Sequence, residues 1–193
     1  MGAIFQSLGR TVAAGVVLVI VLILAAGSGI HYDQAWGAFV MRWLHVISGV
    51  MWIGLLWYFN FVQIPSMPKI PDEQKPAIGK VIAPTALFWF RWAALSTVVT
   101  GLLLAGMSGY IGALLTFARP FTAIAIGMWL GLIMAYNVWF IIWPNQKKAL
   151  GIVAVEADAK AKAARMAMLT SRVNTMLSIP LLYCMVAQQN GGL

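Results

Sequence analysis

Arg42, His45 and Arg91 are the side chains of this sequence best placed to do chemistry, because each falls inside an apolar run long enough to cross a bilayer. Hydrocarbon accommodates an ionisable group only with a partner, a water path or a function. Arg42 and His45 are three positions apart, so a helix stacks them on one face. Three readings of His45 stand open: an axial haem ligand, a hydrogen-bond donor to a quinone or substrate carbonyl, or an interfacial histidine bonded to a carbonyl or water. Ser48, Gly49 and Gly54 leave room for a planar ring or a neighbouring helix, and Trp52 lies two turns on. A low-spin b-type haem needs a second strong axial ligand, typically histidine. The other histidine, His31, is expected in an outer loop, and the eleven Met read as packing.

Arg91 is flanked by Trp89, Phe90 and Trp92, about nine residues into its apolar run. That places it on the order of 13 Å deep, close to mid-membrane. No Asp or Glu lies in any of the apolar runs. Neutral partners are Asn137, Asn174, Ser178 or backbone carbonyls, the residues of a structural polar cluster. The alternatives are an anion from outside, such as a carboxylate, a phosphate or an acidic group of another subunit, and snorkelling toward the interface.

The elements that must hold these residues are membrane spans of roughly 20 residues each. Five are expected, over about 11–29, 36–64, 82–107, 121–143 and 169–187; Asn174, Ser178 and Pro180 interrupt the last. The first is read as a retained helix, with a cleaved signal peptide as its rival. Lys69, Lys75 and Lys80 fall between spans two and three, and Lys147, Lys148, Lys160, Lys162, Arg165 and Arg172 between spans four and five. The opposite loops hold Arg119, His31 and Asp33. The positive-inside rule then puts the N-terminus in the cytoplasm and the C-terminus outside. Residues 149–170 are Ala-rich with Glu156–Lys160 and Asp158–Lys162 pairs at i, i+4, and predict a cytoplasmic amphipathic helix leading into the last span. The fold class expected is an all-α integral membrane protein, a five-helix bundle in one domain over residues 1–193.

Composition agrees: 62% of residues are hydrophobic and 9% charged, far below the charged quarter of a soluble domain. The net charge of +8 is explained by basic cytoplasmic loops rather than by nucleic acid. The single Cys184 permits no internal disulfide, and no Cys-x-x-Cys-His is present to attach haem covalently. No Met or His cluster has the spacing of a copper carrier.

Four blocks resemble the membrane domain of bacterial cytochrome c-coupled urate oxidases (urate hydroxylases): RWLHVISGVMWIGLLWYFNFVQ at 42–63, FWFRWAALSTVVTGLLL at 88–104, NVWFIIWPNQKKALG at 137–151 and SRVNTMLSIPLLYCMVA at 171–187. The resemblance implies a membrane bundle that oxidises urate and passes electrons to a cytochrome c domain. The family's Ser-Arg-His-Asn reads Ser171-Arg172-Val173-Asn174 here, and Phe121 to Ala125 contains none of the histidine expected near the start of the fourth span. Of the redox ligands so implied, His45 remains.

Two functions are therefore expected. The favoured one is a non-catalytic membrane accessory or scaffold subunit of a larger respiratory or photosynthetic electron-transfer complex in the bacterial inner membrane. The other is a redox enzyme domain in which His45, Arg42 and Arg91 contact haem b, a quinone or an anion, with its cytochrome c on a separate chain. Lipid is the remaining ligand class. The partners expected are the bilayer, other membrane subunits and a cytochrome c.

Overall fold

The computed structural model describes residues 2–192, which are helical or connecting turns with no strand among them. Seven helices follow in order: α1 (Gly2–Phe5), α2 (Leu8–Ala26), α3 (Gln34–Lys69), α4 (Lys75–Met107), α5 (Ile111–Thr116), α6 (Thr122–Ala149) and α7 (Ala157–Asn190). Of these, α2, α3, α4 and α6 are long and apolar enough to cross a membrane, which is consistent with a multi-pass membrane protein. The last expected span falls in the second half of α7, which lacks the apolarity of those four.

The chain divides into two compact units, Met1–Gly37 and Ala38–Leu193. In the first, α1 is tied to the start of α2 by Thr11 Oγ1, which donates toward Ile4 O, and by Arg10 Nη1 donating to Ala3 O. α2 has no buried residue. Asp33 caps the start of α3, its Oδ1 accepting from Trp36 N at 3.0 Å.

In the second unit the core is built where α3, α4, α6 and α7 meet. Trp52, Leu56 and Phe59 of α3 pack with Leu87, Phe90 and Ala94 of α4, Met134, Val138 and Ile142 of α6, and Leu181 of α7. The outer faces carry Val46, Val50, Phe61, Trp89, Phe140, Met176 and Val186 exposed. Apolar side chains outside as well as inside are what a lipid-facing bundle requires.

Proline shapes three of these helices. Each of α3, α4 and α6 contains a π-helical turn, Tyr58–Gln63, Ile78–Ile82 and Asn137–Ile142. Each turn ends two residues before a proline: Pro65, Pro84 and Pro144. Proline has no N–H and its ring collides with the carbonyl four residues back. Widening the preceding turn moves that carbonyl aside and lets the helix continue. Hence α3 runs past the expected end near 64, to Lys69, and α4 starts at Lys75 rather than near 82.

The expected helix over 149–170 is also corrected. α6 continues to Ala149, and Gly151 (φ +75°) then reverses the chain, with Ile152 N and Val153 N both donating to Lys147 O. A new helix begins only at Ala157 and runs without a break to Asn190, with Pro180 inside it.

Candidate functional site

His45 sits on the inner face of α3 opposite α4. Its Nδ1 lies 2.8 Å from the backbone oxygen of Thr97. A carbonyl only accepts, so Nδ1 carries the proton and the lone pair of a neutral ring is on Nε2. The imidazole lies against Gly101: a Cβ there would be 2.9 Å from His45 Cε1 and 3.0 Å from Nδ1. Gly101 is what lets the ring fit between the helices.

This arrangement bears on a haem. A backbone-bonded Nδ1 is how metal-binding histidines are usually oriented, so Nε2 could serve as one axial ligand. The side chains that meet the ring from α4 are Thr97, Thr100 and Gly101, none of which ligates haem iron. No second histidine lies on α3 or α4 to complete a bis-histidine haem there. Among the described residues, no group of three or more His, Cys, Asp or Glu could hold a metal ion.

Arg42, one turn before His45, is exposed where His45 is half-buried. The nearest chemistry to it is Tyr110, in the turn between α4 and α5. Burial pushes the Tyr110 phenol up, against the opposing pull of Arg42 and a hydrogen bond with Ser108. Tyr110 also stacks on Phe121, ring centroids 5.0 Å apart.

Arg91 is 9% exposed, and its guanidinium carbon lies 3.4 Å from the centroid of the Trp143 ring. Such stacking contributes roughly 0.5–2 kcal/mol depending on desolvation. Side chains lean toward the N-terminus of their own helix. On oppositely running α4 and α6 this brings Arg91 and Trp143 together. Lys147, one turn beyond, has its Nζ 5.7 Å from the same ring. Arg91 Nη1 is buried with no hydrogen-bond partner among the described residues. The partner found by Arg91 is thus an indole, not the amides of the expected polar cluster.

The other members of that cluster do come together. Asn174 is fully buried, accepting from Asn137 Nδ2 at 2.8 Å and donating to Met134 O at 2.9 Å. Ser178, also fully buried, accepts from Trp57 Nε1 at 3.0 Å and donates to Thr175 O at 2.7 Å. Asn60 extends the set, its Nδ2 donating to Ser171 Oγ at 2.8 Å. Ser171, Asn174 and Ser178 are three and four apart, one stripe of α7 facing α3 and α6. Asn60, Trp57, Thr97, Gly101 and Trp143 escaped sequence reading. Only Asn60, one of two amides with Gln63 in an apolar run, carried a signal that could have found it.

At the other end of the unit, Gln188 of α7 binds the start of α6: its Nε2 donates to Pro120 O at 3.0 Å and its Oε1 accepts from Ile124 N at 3.2 Å. α6 and α7 therefore run antiparallel. Their close approach is at Gly127, where a Cβ would meet Cys184 Cβ and Met185 Cε at 3.1 Å.

Comparison with known families matches residues 111–191 to the urate oxidase N-terminal family. The match contains the blocks at 137–151 and 171–187 and stops short of His45 and Arg91. Comparisons with curated proteins and with solved structures give no match. Over residues 111–191, from α5 to the end of α7, the chain is similar to the urate oxidase N-terminal family.

Proposed function

We propose that the chain is a non-catalytic integral membrane accessory or scaffold subunit of a larger bacterial energy-transducing complex, respiratory or photosynthetic, built on a urate-oxidase-type membrane bundle. The observation that carries this reading is His45. The residue best suited to redox chemistry donates its Nδ1–H to Thr97 O and sets its Cε1–Nδ1 edge against Gly101, a tether between α3 and α4 with no second histidine on either helix. The polar stripe of α7 likewise spends its groups on helix-to-helix bonds. The outward surface, by contrast, is rich in side chains that other helices or lipid could cover, among them Trp89, Trp92 and Phe140.

In this proposal the bundle has five spans in the bacterial inner membrane, the fifth being residues 169–187 of α7. The N-terminus is cytoplasmic and the C-terminus outside. Its partners are the bilayer, the other membrane subunits of the complex and a cytochrome c.

The family match over 111–191 favours one second reading: a membrane redox domain that passes electrons to a cytochrome c on a separate chain. Purification from native membranes in mild detergent separates the two. The scaffold reading expects the chain to co-migrate with a large haem- or pigment-containing complex, and the isolated chain to give a featureless redox difference spectrum. Stoichiometric haem in the isolated chain, seen as a Soret shift on reduction, would sink it.

A further inference from the structure

Arg91 presents an imbalance that the fold itself does not resolve. A guanidinium 9% exposed within an apolar helix has no carboxylate to face, since the five acidic residues, Asp33, Asp72, Glu73, Glu156 and Asp158, all lie outside the spans. The one ion pair among the described residues is Lys75 with Asp72. Its Nη1 has no acceptor, and Gln146 Oε1, one turn from Trp143, is buried without a donor. A buried cation left uncompensated costs several kcal/mol. Its known contact, Trp143, is shared with a second cation, Lys147. Two positive charges lie against one indole with no negative charge to balance them.

The position says what kind. Trp143 lies six residues before the end of α6 at Ala149, about 9 Å of helix rise. Lys147 and Lys148 close that helix, and the lysines at 69, 75 and 80 cluster at the neighbouring loop. Trp89 and Trp92, on either side of Arg91, are exposed on the outer surface of α4, at 51% and 45%. Trp143, one turn before Lys147 and Lys148 at the end of α6, belongs to the interfacial layer where phosphates lie, and the long Arg91 side chain reaches it from deeper in the bundle. Trp143 and Lys147 are half-buried, so part of each reaches the surface there. Basic pockets between helices on the basic side of a membrane protein recognise anionic head groups.

We propose that Arg91, Trp143 and Lys147 bind the phosphate group of an anionic membrane lipid, the guanidinium stacked on Trp143 and Lys147 Nζ over the same ring supplying the charge. The site stands independently of the scaffold reading, which assigns Arg91 no role, and differs from the redox reading, which turns Arg91 toward a haem, a quinone or another anion.

The test uses the full chain, purified in a nonionic detergent and delipidated. Thermal unfolding and native mass spectrometry are followed on adding phosphatidylglycerol, diacylglycerol or inorganic phosphate. Phosphatidylglycerol is expected to raise the unfolding temperature saturably, with one lipid retained per chain, while diacylglycerol and inorganic phosphate do neither. Arg91→Gln and Lys147→Gln should each weaken phosphatidylglycerol about tenfold or more, and Lys160→Gln, on an exposed stretch of α7, should not. Should Arg91→Gln fail to fold, Lys147→Gln carries the comparison alone. Equal stabilisation by inorganic phosphate overturns the lipid assignment in favour of a soluble anion. Equal weakening by Lys160→Gln overturns the site in favour of general charge attraction, and no response to either anion overturns it outright.

Discussion

His45 and Gly101 form a matched pair in which each explains the other. The imidazole can reach Thr97 O only because nothing projects from position 101, and a methyl there would sit 2.9–3.0 Å from the ring. Contact that close cannot be absorbed by an aromatic ring held by a hydrogen bond, so the ring must swing away or the helices part. Gly101→Ala is expected to destabilise the purified chain by about 1–3 kcal/mol, read as a lower unfolding temperature in detergent. In a His45→Ala background the same change should cost clearly less, because the clash is gone. Additive costs in that double-mutant cycle would show that the two residues do not act together. The chemistry of Arg42 and His45 was legible as a spacing, but their different burial was not. That difference depends on how α3 is rotated against α4, which no local pattern encodes.

Among the helices, α7 is the one whose sequence misleads most. Its low apolarity comes from charged residues in its first half, Arg172 and the polar end at 188–190, and also from Ser171, Asn174 and Ser178, which are buried while Val173, Met176, Ile179 and Val186 are exposed. Over residues 173–179 the helix is polar inside and apolar outside, the inverse of a soluble amphipathic helix. Hydropathy therefore undervalues it, although Asn174, Ser178 and their partners Asn137 and Trp57 could be picked out as polar residues in apolar runs. Their pairing could not, since it needs the antiparallel register of α6 and α7. The π turns were hidden for a similar reason: the prolines were visible, but a proline can end a helix or be accommodated, and packing decides. Asn174→Leu removes a donor to Met134 O and an acceptor for Asn137, and should cost about 1–3 kcal/mol by leaving the Asn137 amide buried and unpaired. Replacing Asn137 by Leu as well should recover part of that loss, measured by chemical or thermal unfolding in the same detergent. A double variant worse than the sum of the single ones would contradict the hydrogen-bonded pairing of α6 with α7.

At the scale of the molecule, the distribution of charge argues for one orientation. Glu73 and Val153 lie in the two connections that follow α3 and α6, among lysines 69, 75, 80, 147 and 148. Arg119 and Gln189 belong to the opposite end, where Gln188 joins the C-terminal end of α7 to Pro120 and the start of α6. Cations near the ends of spans resist translocation, so the lysine-bearing end is expected to remain cytoplasmic. The native cysteine, Cys184, is 4% exposed, which leaves a quiet background for labelling single cysteines. Each of Glu73, Val153, Arg119 and Gln189 is exposed and can be replaced by cysteine without opening the core. In intact spheroplasts a membrane-impermeant maleimide should label Arg119→Cys and Gln189→Cys, and should reach Glu73→Cys and Val153→Cys only after the membrane is permeabilised. Labelling of Gln189→Cys on the same side as Val153→Cys would mean that α7 does not cross, leaving the bundle with an even number of spans and its C-terminus in the cytoplasm. Labelling of all four in the reverse sense would keep five spans and invert the protein, against the lysine bias.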